Sequence, residues 1–236
     1  MKIIVILFFS MLLALPTYGQ NRETDYLSHV LEKMNAVESV PYHCVKKAWE
    51  PGDKEPVYSV PTEIYEHVNP QDTAVGYSFL CASDKEFRQP LWVYDGTVFA
   101  YIEKEEKEVR IDDFTQKSPL PFRVIMPQAF GCMKSILEYV LNTQDSIVLS
   151  LKDEGKDYLM ELSIHTPYQV EFFGKACYMP QNPYIYDPTS IYKIWISKEN
   201  DMPYRYRREM QHSISEGICS DFVYNPNGKG KIVAED

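Results

Sequence analysis

No two of the five cysteines in this 236-residue chain stand in a C-x-x-C pair. That absence removes the arrangement on which thioredoxin-like redox centres and most structural zinc sites are built. Positive charge is short as well: 24 Lys and Arg stand against 34 Asp and Glu, a formal net charge of −10. So acidic a chain repels phosphate backbones, which argues against a nucleic-acid partner. Beyond Leu15 no apolar run approaches the roughly 20 residues a membrane-spanning helix needs, so the chain is not expected to span a bilayer. G-x-S-x-G, H-E-x-x-H, Walker and dinucleotide-binding motifs are all missing. The five histidines, His29, His43, His67, His165 and His212, are scattered. His43 adjoins Cys44, but neighbours on a strand point to opposite faces and cannot readily share a site. No catalytic residue, metal ligand or cofactor is therefore assigned, and the chain is not expected to be an enzyme.

What is present begins with an export signal. Lys2 is followed by a mostly apolar run from Ile3 to Leu15, then Pro16, with the small residues Thr17 and Gly19 ahead of a cleavage point. This pattern reads as a secretory signal peptide over residues 1–19, with a mature chain from about Gln20. No cysteine stands at the cleavage point to carry a lipid anchor. The product is expected in the periplasm, as a single domain over residues 20–236. An oxidising compartment permits disulfides, although five cysteines leave at least one thiol over. The other reading is that most of Cys44, Cys81, Cys132, Cys177 and Cys219 are small buried hydrophobes.

Hydrophobic spacing then orders the chain. Leu27, Val30, Leu31, Met34 and Val37 recur at helical spacing behind Thr24 and Asp25, which offer caps. Alternation typical of strands follows over 57–68, 73–81, 90–94, 97–103 and 107–113. EKEEKE, Glu103 to Glu108, mixes its charge signs and reads as a solvated hairpin tip. A second helix carries Phe130, Met133, Ile136, Leu137, Val140 and Leu141 on one stripe. Strands resume over 147–151 and 158–164, with a further one near 168–173. The segment KACYMPQNPYIYDPTS, Lys175 to Ser190, reads as a long loop, of the length that serves as a lid or binding segment. Strands over 191–197, 204–212 and 215–224 close the chain.

Two hairpins carry most of the information. In LWVYDGTVFAYI, Asp95-Gly96 is a preferred type I′ turn and would pair Tyr94 with Thr97 and Trp92 with Phe99. One face then holds Trp92, Tyr94, Thr97, Phe99 and Tyr101, the other Leu91, Val93, Val98, Ala100 and Ile102. A sheet with one wet face alternates polar and apolar, so a hairpin apolar on both sides asks for cover on both. In YKIWISKENDMPYRYRRE, Pro203 sits at the start of a strand, where a sheet tolerates it. Arg205 and Arg207 are expected to face solvent and pair with acids, with Arg208 stacked on a tyrosine.

The element order, and this late hairpin in particular, resembles the periplasmic lipoprotein-carrier (LolA/LolB-like) superfamily. KMNAVESVPYHC and MPYRYRRE also resemble the domain that precedes the thioredoxin-like part of TlpA-type envelope proteins, though this chain ends at Asp236 without a C-x-x-C. The resemblance implies an α+β fold: a strongly curved antiparallel half-barrel of about 11 strands, with helices plugging its concave face. It implies a non-catalytic domain that binds an apolar small molecule, a lipid or a lipoprotein acyl chain. Trp92, Tyr94, Phe99, Tyr101 and Trp195 are the candidate cavity residues, with a fully packed core as the rival reading of the same side chains. The functional alternatives are a module that meets an envelope protein through the second apolar face, or the N-terminal part of a thiol-disulfide oxidoreductase system. An unrecognised hydrolase would need a convergent nucleophile, base and oxyanion donors.

Overall fold

A computed structural model describes residues 17–50, 52–73, 75–113, 129–144, 147–165, 168–170, 176–178, 189–211 and 213–224. Helix α1 (Thr17–Asn35) leads into six strands: β1 (Ser39–Trp49), β2 (Tyr58–Val68), β3 (Tyr77–Ala82), β4 (Pro90–Tyr94), β5 (Val98–Glu103) and β6 (Glu108–Asp113). Helix α2 (Phe130–Asn142) follows, then β7 (Val148–Asp153), β8 (Asp157–His165), β9 (Tyr168–Val170), β10 (Ala176–Tyr178), β11 (Thr189–Ser197), β12 (Met202–Met210) and β13 (Ser213–Ser220). The run Ile3–Leu15 and most of the segment expected to form the long loop lie outside the described residues. Within that segment, β10 pairs with β9 as a separate small ladder.

The main sheet has 11 strands in the order β6-β5-β4-β3-β2-β1-β13-β12-β11-β8-β7. Every pairing in it is antiparallel, and the sheet is open and curved, the half-barrel expected of an α+β chain. Strands β1 to β6 run as a meander, so each finds its partner by a local turn. The last strand returns to lie beside the first: β13 pairs β1 from His43↔Ser220 to Trp49↔Ile214. The two halves of the sequence therefore meet in mid-sheet, and the outer edges are β6 and β7.

Alternation selects the concave side. Val40, Tyr42 and Cys44 on β1, Ile64 on β2, Phe79 and Cys81 on β3, and Tyr192, Ile194 and Ile196 on β11 all point inward and are buried. The helices close this side. Leu27, Val30 and Met34 of α1 recur at helical spacing and are fully buried, as are Phe130, Met133 and Leu137 of α2. Helix α1 starts well before Thr24, so Thr24 and Asp25 do not cap it; Ser28 Oγ instead donates to the Thr24 carbonyl one turn back. The turn joining β11 to β12 ties α1 down, with Lys33 Nζ 2.6 Å and the Tyr26 hydroxyl 3.1 Å from the Asp201 carboxylate.

The Asp95-Gly96 hairpin keeps the expected faces but not the expected turn. Tyr94 pairs with Phe99 and Trp92 with Tyr101, a shift of two residues that leaves inward and outward sets unchanged. Asp95 Oδ1 accepts from the backbone N–H of Thr97 and of Val98 at 2.8 Å each, and from the Thr97 hydroxyl at 3.0 Å. This Asx-type cap widens the loop, and only Gly96 takes positive φ, whereas a type I′ turn needs it at both central positions. Strand β3 likewise starts later than the expected residue 73. The buried Asp72 carboxylate accepts from Val75 N–H and Gly76 N–H at 3.2 Å each, and Gly76 has φ +81°, which holds those residues in a loop.

The convex side differs between the two halves. On the C-terminal half it is a charged ladder: Arg205 and Arg207 each reach Glu216 at 3.1 Å, while Arg207 and Lys193 reach Glu209 at 2.7 and 3.0 Å. Arg208 lies over the Tyr192 ring at 5.5 Å, so the arginines do what their alternation implied. Over β4 to β6 the convex side is apolar, and Val93, Val109 and Ile111 are 36%, 57% and 64% exposed.

Removing buried volume from α2 should be felt across the whole domain. Leu137→Ala is expected to cost about 2–5 kcal/mol. Thermal denaturation followed by circular dichroism should show this as a fall in midpoint of roughly 5–15 °C.

Candidate functional site

The concave face is built around an acid that the apolar pattern does not ask for. Glu66 lies on β2 between the inward-facing Ile64 and Val68, and it is fully buried. Its carboxylate accepts hydrogen bonds from the Tyr42 hydroxyl, from Phe130 N–H at 2.6 Å and from Gly131 N–H at 2.9 Å. Those two amides open helix α2, where Ala129 supplies no side-chain cap. A strand carboxylate thus caps the helix from across the core, placing negative charge at the positive end of the helix dipole. Burial pushes the Glu66 carboxyl up to about 7, against the downward pull of those three hydrogen bonds.

Gly131 makes the seat possible. A Cβ there would stand 2.7 Å from Cε2 of the Tyr77 ring, so any other residue would push the start of α2 away from β3. Tyr77 in turn forms one wall of a cleft of about 410 Å³ between α2 and the loop joining β2 to β3. Val68, Thr73 and Val75 line one side, and Lys134, Ser135 and Glu138 the other. Tyr77 is buried, and its hydroxyl has no hydrogen-bond partner among the described residues. Burial lowers the Lys134 amine and raises the Glu138 carboxyl from their ordinary values. The two stand 3.9 Å apart one helical turn from each other, with the amine 5.8 Å from the Tyr77 ring centre. The cleft therefore combines apolar walls, a buried phenol lacking an acceptor, and one ion pair at the helix side.

Behind Tyr77 the aromatic side chains continue into the sheet. Phe79 has its ring centre 6.0 Å from that of Tyr77, 6.4 Å from that of Trp92 and 6.3 Å from that of Tyr94. Trp92 meets Phe99 at 5.7 Å. Three of the five candidate residues, Trp92, Tyr94 and Phe99, are thereby brought together as buried rings. The Tyr94 hydroxyl is held by Asp72 at 2.9 Å. Tyr101 shares their face, opposite Trp92, but is 43% exposed. Trp195 does not join them. On β11 the inward positions are Tyr192, Ile194 and Ile196, which turns Trp195 to the convex side. There its indole N–H donates to Glu154 at 3.0 Å and Arg205 stacks on it at 4.1 Å.

A second cleft, of about 310 Å³, lies toward the β11–β12 turn, with Asp157, Met202, Tyr204, Cys219, Phe222 and Tyr224 among its walls. The EKEEKE segment is a hairpin tip between β5 and β6, as expected. Its Glu103, Glu106 and Glu108 carboxylates cluster there, and Glu103 pairs with Arg110 at 2.8 Å. Glu66, Tyr77, Lys134 and Glu138 were not singled out by sequence reasoning. A signal for Glu66 existed, since it is an acid at an inward position of an otherwise apolar strand face. Tyr77 carried none, because its role depends on a glycine more than fifty residues away.

No protein-family model matches the chain, and no curated protein matches it. Among solved structures, the lipoprotein LppX of Mycobacterium tuberculosis overlaps 84% of this chain and 93% of its own, with a TM-score of 0.43 and 9% identity. LprF of Mycobacterium bovis overlaps 87% of this chain and 97% of its own, with a TM-score of 0.43 and 10% identity. A LolA superfamily protein of Nitrosomonas europaea overlaps 84% and 93%, with a TM-score of 0.30 and 8% identity. Likenesses this distant carry no ligand and no residue role to the present chain.

The buried acid makes stability depend on pH in a stated direction. An unfolded Glu titrates near 4.5 and Glu66 in the fold near 7, so between those values the folded state binds more protons. Its contribution is complete below about pH 4.5 and is lost as the pH rises through about 7. The denaturation midpoint of the parent protein should therefore fall across that window relative to Glu66→Gln, which has no carboxyl to titrate. Urea unfolding at a series of pH values checks this, and parallel curves for the two proteins would refute it.

Proposed function

We propose that this chain is an exported, non-catalytic, LolA-like domain that holds an apolar ligand, a lipid or lipoprotein acyl chain, in the periplasm. The observation that carries the reading is the cleft beside Tyr77, whose volume falls within the range of small-molecule sites. Its walls are mostly apolar, and the Trp92, Tyr94 and Phe99 rings pack behind Tyr77 without lining it. An acyl chain lying there gains from the removal of its methylenes from water, at about 0.8 kcal/mol per buried CH₂. An ester or phosphate oxygen at its end would meet the Lys134 amine on the helix side of the cleft. Tyr101, half exposed on the same face, extends the apolar surface toward the edge strand β6. Trp195, on the other side of the sheet, has no part in this site.

The test is direct. Native protein is extracted with organic solvent and the extract analysed by mass spectrometry; delipidated protein is then titrated with a fluorescent fatty acid. Thr73 is exposed at the cleft, so Thr73→Trp should narrow it without disturbing the core. The variant is expected to weaken binding by on the order of tenfold, about 1.4 kcal/mol. Lipid-free native protein that also fails to bind the probe would sink the proposal.

A second reading, an interaction module, is favoured by one observation. Val93, Val109 and Ile111 expose apolar surface on the convex side beside β6, the strand that ends the sheet. Such a face beside an edge strand is suited to pairing with another chain. If that is its use, light scattering should show self-association or capture of an envelope protein that Ile111→Lys abolishes. A concentration-independent monomer that captures no partner would refute it.

A further inference from the structure

Cys44 and Cys219 occupy directly opposed positions on β1 and β13. Their Sγ atoms are 2.8 Å apart, closer than two unbonded sulfurs ordinarily approach, and both side chains are buried. Cross-strand neighbours in an antiparallel pair have the Cα and Cβ separations that a disulfide requires. The pair also sits where the two halves of the sequence meet, 175 residues apart in the chain. Cys81 shares the inward side but is two strands from Cys44, across β2, and so has no such partner.

We propose that Cys44 and Cys219 are a redox-active pair that closes into a disulfide, covalently fastening the first strand of the sheet to the last. The oxidant is an external disulfide, either a small molecule or a protein. The Cys219 thiolate attacks one sulfur of that disulfide; the external S–S bond breaks and one external thiolate leaves and takes up a proton. The Cys44 thiolate then attacks the Cys219 sulfur of the mixed disulfide and displaces the second external thiol. Two protein thiols are oxidised by two electrons, and one disulfide is reduced to two thiols.

Two features set when this happens. Cys219 lines the 310 Å³ cleft near the β11–β12 turn, which brings an exchange partner to it rather than to Cys44. Burial, reinforced by the neighbouring Cys44 sulfur, holds the Cys219 thiol well above its ordinary value. Few thiolates therefore exist in the finished fold, and the bond forms before the β1–β13 seam closes or when it opens. Once formed, the same burial shields it from reductants. A bridge that closes so long a loop constrains the unfolded chain strongly.

The experiment refolds the reduced, denatured protein in oxidised glutathione, blocks remaining thiols under denaturing conditions, and maps the unreduced peptides by mass spectrometry. A peptide linking Cys44 to Cys219 in most chains is the expected result. Recovery of both residues as free thiols, or linked to other cysteines, overturns the proposal. As an independent reading, protein refolded in a phosphine reductant instead of oxidised glutathione should melt roughly 5–10 °C below the oxidised protein. The double variant Cys44→Ala, Cys219→Ala should show no such difference. Should that variant fail to fold, the peptide map of the parent decides alone. Neither readout involves a lipid, so failure here leaves the ligand proposal standing, and the reverse holds too.

Discussion

The hydrogen bonds from Phe130 N–H and Gly131 N–H to the Glu66 carboxylate fix where helix α2 sits, and the concave side of the sheet is arranged around them. A helix that starts without its own cap leaves amides that must find acceptors or water. Here β2 supplies both acceptors from one side chain, and β1 adds the Tyr42 hydroxyl. The cost is a carboxyl held out of solvent, visible as its raised titration. The gain is positional, since two directional bonds, to a carboxylate that the Tyr42 hydroxyl steadies, set the helix against the sheet more narrowly than apolar contact would. Gly131 and Tyr77 follow from that placement: the close approach requires the glycine, and it puts the tyrosine ring in the wall of the cleft.

The sheet itself solves a different problem. An open sheet of 11 strands has two faces and two edges, and only the concave face is covered by the helices among the described residues. Charge covers the convex side of the C-terminal half, where Glu216 is buried beneath Arg205 and Arg207 and so is paired rather than stranded. Arg207 also lies 5.4 Å from the Trp49 ring centre on β1, so this ladder crosses the β1–β13 seam. The seam is thus held on the convex face by guanidinium groups, while on the concave one the buried Cys44 and Cys219 sulfurs face each other.

Local periodicity made most of this architecture legible. Strands β2 to β6, the stripe on α2 and the late hairpin all follow from local periodicity, whereas β1 has no bounds of its own in that pattern. The inward set of Trp92, Tyr94 and Phe99 was readable even though the turn was not, since a shift of two residues preserves faces. Trp195 shows the limit of the same method. Alternation divided β11 correctly into two faces but could not say which face is concave, and Arg205 on the neighbouring strand decided the matter by stacking on the indole. The pairing of Cys44 with Cys219 was illegible for another reason: it needs β13 to return beside β1, a contact between chain ends that no local pattern encodes.

The two halves of the functional argument meet at α2. A ligand that reached the buried rings by lifting the start of this helix would break the bonds to Phe130 and Gly131 and leave Glu66 exposed to whatever entered. An acyl chain cannot replace those donors, so that route carries the full penalty of a stranded carboxylate. The cleft beside Tyr77 avoids it. It opens further along the helix, at Lys134, Ser135 and Glu138, where the loop after β2 stands away from α2 and no hydrogen bond to Glu66 is disturbed. On this geometry the polar seat keeps the helix in place and leaves the cleft beside it free for the ligand we propose, which gives an acid a role in the middle of an otherwise greasy face.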